Sequence, residues 1–363
     1  MPNRRSRLSL IVPLLVALVP LIGSIGCKKD PAPTPAAQAD DKKVNLLIFS
    51  EYIPDDVLAD FKKETGIEVA VAVMESNEQL LAKLAGGSNE FDVVSPSDYM
   101  VRRLAAQKLI QKFDRAKLSN FSNLDPTLLG KGFDTANEFS VPLFWGTTGI
   151  GYNKKKVTDP VNSWAILFDP KYKGKVAMLN DPREMVTSVL RRDGKEPNSK
   201  DPAILNAAIE VLKLQKKAVA PIYDVDGIYE KLAAGDVALA QGFNGQFYKE
   251  VVKKPEELGF IVPKEGATLW IDNLSIPTAS TRVANAHKLV DFLMRPDVAA
   301  RAADFAAYAT PNRVGRSKVK KELLDNPIIY PPADVLKKCA SMEDLGTEAN
   351  KIMDRVTTEV NAD

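Results

Sequence analysis

Three apolar runs decide the fold: residues 44–49 read VNLLIF, residues 67–74 read IEVAVAVM and residues 91–94 read FDVV. Their composition and length are typical of strands that are buried on both faces. The segments between the runs carry apolar residues at helical spacing and end in glycine, at Gly66 and at Gly86. The succession β-α-β-α-β predicts an open parallel sheet with helices on both faces.

Polar residues indicate where the two helices of this unit begin. Asp55 or Asp56 can cap the first helix. Ser76, with Gln79 three residues later, resembles a capping box at the start of the second helix.

The loops after the first and third strands lie at the ligand-binding edge of the predicted sheet. Residues 50–54 read SEYIP and residues 95–99 read SPSDY. Ligands of open parallel sheets bind beyond the carboxyl ends of the strands. We therefore expect Tyr52 and Tyr99 to lie near a ligand.

A second α/β unit follows a long apolar segment. Residues 141–152, VPLFWGTTGIGY, are extended and rich in glycine, and we interpret them as the first crossing between two lobes. Further strands are predicted at residues 175–179 and 237–243, with a helix that begins near Pro182. The predicted lobes are residues 44–149 with 272–316, and residues 150–271 with 317–363.

The segment Trp270-Ile271-Asp272 carries a candidate cation site. On a strand, Trp270 and Asp272 point to the same face while Ile271 points into the core. An indole ring attracts a cation and a neighbouring carboxylate accepts its N–H protons, so the pair suits an organic ammonium group. The alternative is a core tryptophan and a surface aspartate that happen to lie two residues apart.

The N-terminus has the pattern of an export signal. Arg4, Arg5 and Arg7 form a basic region, and residues 8–22 are apolar but too short and too interrupted by proline to span a membrane comfortably. Gly-Cys at residue 27 resembles a bacterial lipoprotein cleavage site. We expect residues 1–26 to be a signal peptide and Cys27 to become the lipidated first residue.

An ordinary signal peptide that is cut nearby is the alternative, because Ser24 stands where lipoprotein signals usually have leucine. Residues 27–43 are rich in proline and alanine, which is typical of a flexible tether. Both interpretations place the mature protein in the periplasm. A lipid anchor to the inner or the outer membrane is compatible with Lys28.

Composition excludes several classes of function. The chain has 49 basic and 47 acidic residues, and removing residues 1–26 leaves 46 and 47, which argues against a nucleic-acid partner. His287 is the single histidine and has no cysteine or second histidine nearby in the sequence, so we expect neither a transition-metal site nor a Ser-His-Asp hydrolase. No phosphate-binding glycine loop is present. We predict no enzymatic activity and no cofactor, and we interpret Cys339 as a structural or inert thiol.

Several short segments together resemble one family. From about residue 44 to the C-terminus, the chain is similar to the polyamine-binding substrate-binding proteins of ABC importers, the spermidine/putrescine type. The segments that carry the resemblance are SEYIP (50–54), PSDY (96–99), NFSNLDP (120–126), WGTTGIG (145–151), DPRE (181–184), KEG (264–266), WID (270–272), LMRPDV (293–298) and YP (330–331). They keep the order and approximate spacing of the family over most of the mature chain.

The resemblance implies a type II periplasmic-binding-protein fold with a ligand cleft between two lobes, each a mostly parallel sheet flanked by helices. It also implies a cleft in which aromatic rings stack on the aliphatic part of a polyamine while carboxylates bind its ammonium groups. The implied ligand-binding residues are Phe49, Ser50, Tyr52, Ser97, Tyr99, Asp181, Glu184, Phe243, Trp270 and Asp272.

Four positions depart from the family. Phe49 and Phe243 stand where the family often has tryptophan, which keeps an apolar wall but offers a weaker cation-binding face. Met342 stands where the spermidine type has a ligand-contacting glutamine. Gln246 stands where the putrescine type has a further aspartate.

The chemistry of polyamines fits the same residues. A polyamine carries two or three charges that are separated by methylene groups, so its receptor needs separated carboxylates with apolar walls between them. Asp181 and Glu184 are three residues apart at a helix start and can face one ligand end. We expect the helix N-terminus to keep both ionised before the ligand arrives. Helix capping is the alternative role of this pair.

The sequence therefore predicts an extracytoplasmic, monomeric binding protein. It captures a polyamine, spermidine before putrescine, and delivers it to the permease subunits of an ABC transporter in the inner membrane. The alternative is a sensor of the same fold that presents a polyamine or another organic cation to a signalling receptor.

Overall fold

The first three strands form one parallel sheet in the computed structural model, which describes residues 42–362. β1 (Lys43–Phe49) lies in the centre, because β2 (Glu68–Met74) pairs along its full length and β3 (Val93–Val94) pairs with its other edge. The predicted β-α-β-α-β unit is thus present, with a third strand shorter than the apolar run from residue 91.

The remaining strands are β4 (Ile110–Gln111), β5 (Val141–Asn153), β6 (Val176–Leu179), β7 (Ile222–Asp224), β8 (Leu239–Phe243), β9 (Leu258–Ile261), β10 (Leu269–Leu274) and β11 (Ile276–Pro277). The α-helices are α1 (Asp55–Thr65), α2 (Asn77–Ala85), α3 (Asp98–Ala106), α4 (Pro182–Arg192), α5 (Pro202–Val219), α6 (Ile228–Ala234), α7 (Asn244–Lys253), α8 (Val283–Leu293), α9 (Pro296–Ala306), α10 (Lys321–Leu324), α11 (Ala333–Leu336), α12 (Thr347–Met353) and α13 (Val356–Ala362). Short 3-10 helices cover Arg115–Lys117, Ser119–Asn123, Pro126–Leu128, Trp164–Phe168, Pro170–Tyr172 and Gly315–Lys318.

The second large sheet is mixed rather than mostly parallel. Its strand order is β10-β5-β8-β6-β7, and β9 also pairs with β5. β6 is parallel to β7 and β8, but β5 is antiparallel to β8, β9 and β10. The expectation of a mostly parallel sheet in each lobe is therefore wrong for this one. The reason is that β5 is a long crossing strand, and the strands that return past it run in the opposite direction.

Two sets of buried side chains pack around the two sheets, and we call them the first and second lobes. The core of the first lobe includes β1, the first half of β5, Ile271 of β10, α8 and α9. The second lobe packs α4 and α5 against α12 and α13 and surrounds β6 and β8. Val319, Leu323 and Ile329 belong to the first core, so packing favours a final crossing later than residue 316. The domain limits themselves remain a prediction.

Helix starts follow the sequence only in part. Ser76 Oγ accepts a hydrogen bond from the backbone N–H of Gln79 at 3.1 Å, which confirms the predicted cap of α2. Neither Asp55 nor Asp56 caps α1, because Pro54 occupies the cap position and both aspartates lie in the first turn. There they still interact favourably with the positive end of the helix dipole.

No helix within residues 42–362 combines the length and the apolar content that a membrane crossing requires. The predicted signal peptide, Cys27 and residues 27–41 of the predicted tether lie outside the described residues.

Two glycines with similar positive φ angles provide a test of packing in the second lobe. Gly66 has φ +71° and open space where a Cβ would lie, whereas Gly266 has φ +82° and the carbonyl oxygen of Lys338 only 1.9 Å from that position. We expect Gly66→Ala to lower the free energy of unfolding by about 1–2 kcal/mol, from left-handed backbone strain alone. Gly266→Ala should lose roughly 1–3 kcal/mol more through overpacking. Urea denaturation of both variants measures the difference, and equal losses would contradict the predicted collision.

Candidate ligand-binding site

A cavity of about 470 Å³ lies where the loops after β1, β3, β6 and β8 meet, and its size is typical of a small-molecule site. Residues of both lobes line it. All ten residues that the sequence predicted as ligand-binding are among them: Phe49, Ser50, Tyr52, Ser97, Tyr99, Asp181, Glu184, Phe243, Trp270 and Asp272.

Acidic side chains dominate the charge of this cavity. The described lining residues include no lysine, arginine or histidine. The acidic lining residues are Glu75, Glu78, Asp98, Asp181, Glu184, Asp226, Asp272 and Asp354. A site with this distribution attracts cations and repels anions.

Asp272 lies on β10 between the two lobes and is 4% exposed. Its Oδ1 accepts a hydrogen bond from Ser97 Oγ at 2.5 Å, and its Oδ2 accepts one from the hydroxyl of Tyr52. Burial raises the pKa of Asp272 to about 6, although the two hydrogen bonds oppose the rise. Asp272 is therefore a buried carboxyl group at a cavity wall, which excludes the alternative of a surface aspartate.

The strand alternation predicted for this segment is confirmed. Trp270 and Asp272 both line the cavity, while Ile271 is fully buried in the core of the first lobe. Trp270 is itself 7% exposed and packs edge-to-face against Tyr308, with ring centroids 4.9 Å apart, and against Phe243, at 6.0 Å. The indole is thus held rigidly at the cavity wall.

Asp181 caps the N-terminus of α4 through one of its two carboxylate oxygens, which is the alternative role considered for this residue. Oδ1 accepts hydrogen bonds from the backbone N–H groups of Arg183 and Glu184, at 2.8 and 3.0 Å. Because Pro182 occupies the first helical turn, the chain leaves β6 directly into the helix. The cap holds the Asp181 carboxylate at the cavity wall.

Glu184 is buried one turn below this cap. Its Oε1 accepts a hydrogen bond from Thr148 Oγ1 at 2.7 Å, and its Oε2 accepts one from Thr268 Oγ1 at 3.1 Å. Burial, followed by the charge of Asp181, raises the pKa of Glu184 to about 8. Burial also raises the pKa of Asp181. The expectation that the helix N-terminus keeps both groups ionised is wrong for Glu184, because desolvation outweighs the helix dipole there.

Sequence reasoning missed several lining residues. Glu78 accepts a hydrogen bond from the hydroxyl of Tyr99 at 3.0 Å, and burial together with the charge of Asp181 raises its pKa. Its position just after β2 was an available signal, since the carboxyl ends of parallel strands share one edge. Tyr308 contacts Trp270, Tyr52 and Phe144. It lies far along the chain in an alanine-rich segment that offered no signal.

Two contacts join residues of the two lobes near the cavity. The Nζ of Lys249 on α7 lies 2.7 Å from Glu51, which follows β1. The guanidinium of Arg183 lies over the ring of Tyr99, 5.0 Å from its centroid. Both contacts therefore link the first lobe to the second.

Alternative sites within residues 42–362 would use metal-ligating groups or the single histidine. No group of three or more His, Cys, Asp or Glu in that range is arranged to hold a metal ion. His287 does not line the cavity. Its Nε2 accepts the backbone N–H of Asp114 at 2.9 Å, and its Nδ1 lies 2.8 Å from the carbonyl oxygen of Val283.

Comparison with known proteins gives consistent results. The profile of the family described as bacterial extracellular solute-binding protein matches residues 56–322. The spermidine/putrescine-binding periplasmic protein of Escherichia coli is 39% identical over 322 residues, which cover 87% of this chain and 91% of the relative. The putrescine-binding periplasmic protein PotF of E. coli is 33% identical, covering 89% and 92%. An ABC-transporter protein from Listeria monocytogenes has a TM-score of 0.84 and 31% identity, covering 88% and 99%.

The raised pKa of Glu184 predicts a pH effect on stability. The unfolded chain ionises at the ordinary value of 4.5 and the folded protein at about 8. Between these values the folded state binds more protons, so its stability falls as pH rises. We expect Glu184→Gln to remove this loss, so that the variant gains on the order of a few kcal/mol over the wild type between about pH 5 and pH 8.

Urea denaturation at several pH values measures this effect. Glu256→Gln is the matched control, because Glu256 is exposed. The control should differ from the wild type by a constant amount. A constant difference for Glu184→Gln as well would show that Glu184 does not titrate differently in the folded protein.

Proposed function

We infer a function in solute capture, because this chain belongs to the family of bacterial extracellular solute-binding proteins. The comparisons confirm the family and the two-lobed fold that the sequence predicted. Relatives of this chain are spermidine/putrescine-binding and putrescine-binding periplasmic proteins. We propose that this protein binds a polyamine in the extracytoplasmic space, spermidine before putrescine, and delivers it to the permease of an ABC transporter.

The acidic cavity is the observation that carries this proposal. Its described lining contains eight carboxyl groups and no basic side chain, while aromatic rings form the walls between them. A ligand that satisfies this lining has several separated positive charges and apolar segments between them. Polyamines have this chemistry, whereas amino acids, sugars and inorganic anions do not.

The carboxyl groups lie in two regions that can bind separate ammonium groups. Asp181 and Glu184 bind one terminal ammonium group, and Asp272 binds another amine further along the ligand. Each charge-assisted hydrogen bond contributes about 1.5–3 kcal/mol, and each ring contact contributes about 0.5–2 kcal/mol. Several such contacts offset the costs of association and reach micromolar affinity, about −8 kcal/mol.

The walls of the cavity bear on the choice of polyamine. Phe49, Phe243, Met342 and Gln246, the positions that depart from the family, all line the cavity. The phenylalanine rings and the methionine pack on methylene groups without adding charge. Charge recognition is therefore left to the carboxyl groups, which favours the ligand with more ammonium groups.

The proposed role is delivery of the ligand to a transporter, without any chemical reaction. The two lobes close on the ligand, and the permease subunits in the inner membrane accept it from the closed form. The protein acts as a monomer, with neither a cofactor nor a chemical step. A lipid on Cys27 tethers it to a membrane through residues 27–43, a proposal supported by the cysteine that follows the apolar N-terminal run.

Thermal unfolding with a panel of small molecules tests the ligand class. Spermidine and putrescine should raise the melting temperature, because a ligand that binds only the folded state stabilises it. Glutamate, maltose and sulfate should leave the temperature unchanged. Stabilisation by an anion, with none from any polyamine, would exclude the proposed function.

The position of the tryptophans gives an optical test of the site. Trp270 lines the cavity, whereas Trp164 is 2% exposed in the second lobe and donates its Nε1–H to the carbonyl of Gly266 at 2.9 Å. Spermidine should cause a saturable change in tryptophan emission. Trp270→Phe should lose most of that change and bind more weakly, because phenylalanine has the poorer cation-binding face.

Trp164→Phe is the matched control and should keep the emission change. If Trp270→Phe instead shows the full wild-type change and the wild-type affinity, then β10 does not face the ligand.

A further inference from the structure

Three segments of the chain cross between the lobes. They are residues 145–150, 265–270 and 336–340, and each has side chains that pack in or against the cores of both lobes. We call them the first, second and third crossings. When one lobe moves relative to the other, the backbone of these segments absorbs the change in angle.

Backbone hydrogen bonds join the three crossings side by side, with the second in the middle. The N–H of Thr148 donates to the carbonyl of Thr268 at 3.1 Å, which joins the first crossing to the second. The N–H of Leu269 donates to the carbonyl of Ala340 at 3.0 Å, and the N–H of Ala340 donates to the carbonyl of Ala267 at 3.1 Å. The three crossings therefore bend as one unit.

Arg191, near the C-terminus of α4, binds two of these crossings. Its Nη1 donates to the carbonyls of Glu265 and Lys338, at 3.1 and 3.2 Å. Its Nη2 donates to the carbonyl of Ala267 at 2.8 Å. The guanidinium thus clamps the second and the third crossing to the end of one helix of the second lobe.

Arg191 is an unfavourable choice for stability alone. It is 6% exposed, and none of the ion pairs among the described residues involves it. Its Nε is buried and has no hydrogen-bond partner. A buried charge without a counterion destabilises a fold, and an apolar side chain of similar volume often replaces it without loss. The arginine at this position therefore indicates a role in holding the backbone carbonyls.

The same face of α4 carries a proposed ligand-binding group. Glu184 and Arg191 are seven residues apart, which is two helical turns, so both side chains lie on one side of the helix. The Glu184 carboxyl group accepts hydrogen bonds from Thr148 on the first crossing and from Thr268 on the second. The two ends of this face therefore contact all three crossings.

We propose that Arg191 is a positioning residue that anchors α4 to the second and third crossings, so that ligand binding at Glu184 is coupled to lobe closure. Arg191 does not line the cavity and acts on the ligand only through Glu184. Without the anchor, α4 shifts relative to the crossings, and the Glu184 carboxyl group loses its fixed direction. This inference rests on the proposed polyamine function and adds to it a residue outside the cavity.

A double-mutant cycle tests whether Arg191 acts through Glu184. Arg191→Lys keeps the positive charge but replaces the planar fork of donors by one ammonium group, which does not reproduce the clamp. We expect this variant to bind spermidine roughly fivefold or more weakly than the wild type. In the Glu184→Gln background the same change should weaken binding by less than about twofold, because the charge that Arg191 positions is already absent. Titration calorimetry measures the four affinities.

Arg192→Lys is the matched control on the same helix. Arg192 pairs with Asp193 at 2.7 Å and lies over the ring of Phe168, so its replacement should leave the affinity for spermidine unchanged. If Arg191→Lys has no effect, or weakens binding equally in both backgrounds, the inference is wrong while the polyamine function stands. If the wild type binds no polyamine, the proposed function fails and this inference fails with it.

Nuclear magnetic resonance of the unmodified protein, labelled with nitrogen-15 arginine, applies even if Arg191→Lys does not fold. The Nη protons of Arg191 should exchange slowly with water both before and after spermidine is added, because the anchor holds in the open and the closed form. Arg313 is exposed and provides the rapidly exchanging reference. Rapid exchange of the Arg191 protons before spermidine is added would overturn the inference.

Discussion

Burial of carboxyl groups without basic partners is the constraint on which the site depends. Taking a carboxylate out of water is unfavourable unless a cation or several hydrogen bonds replace the solvent. Here hydroxyl groups provide some of these hydrogen bonds. Thr148 and Thr268 donate to Glu184, and Ser97 and Tyr52 donate to Asp272. They fix the carboxyl groups in position, yet the pKa of Glu184 and of Asp272 remains raised. The described lining thus contributes no positive charge of its own, and a cationic ligand supplies it.

The fold places these groups on rigid elements rather than on long loops. Glu184 lies on α4, which begins directly after β6, and Asp272 lies within β10. The hydrogen bonds from Tyr52 and Ser97 tie β10 to the exit loops of β1 and β3. A ligand therefore meets carboxyl groups whose directions are already set, which reduces the entropy that binding would otherwise remove.

Sequence patterns predicted the strands and helices whose signals are local. They did not predict the features that depend on burial or on long-range strand pairing. The apolar runs and glycine stops identified β1, β2, α1 and α2, and the alternation in residues 270–272 identified a cavity wall. The ionisation of Glu184 was predicted wrongly, because the sequence shows the helix start and not the degree of burial. Asp98 was missed as a cavity-lining residue for a related reason, since its burial is set only by the packing around it. The mixed second sheet depends on pairings of β5 with strands that lie 87 to 133 residues further along the chain, which no short pattern encodes.

Like charges on opposite lobes make the arrangement sensitive to a cation. Glu78 on α2 belongs to the first lobe and Asp181 at the start of α4 to the second, and the charge of Asp181 contributes to the raised pKa of Glu78. When both are ionised, bringing the lobes together brings two negative charges together in a medium of low dielectric constant. An ammonium group between them reverses the sign of both interactions, because each carboxylate then has an opposite charge nearby. The energy that favours closure therefore comes from the ligand itself, and an anion or an uncharged sugar of similar size provides none of it.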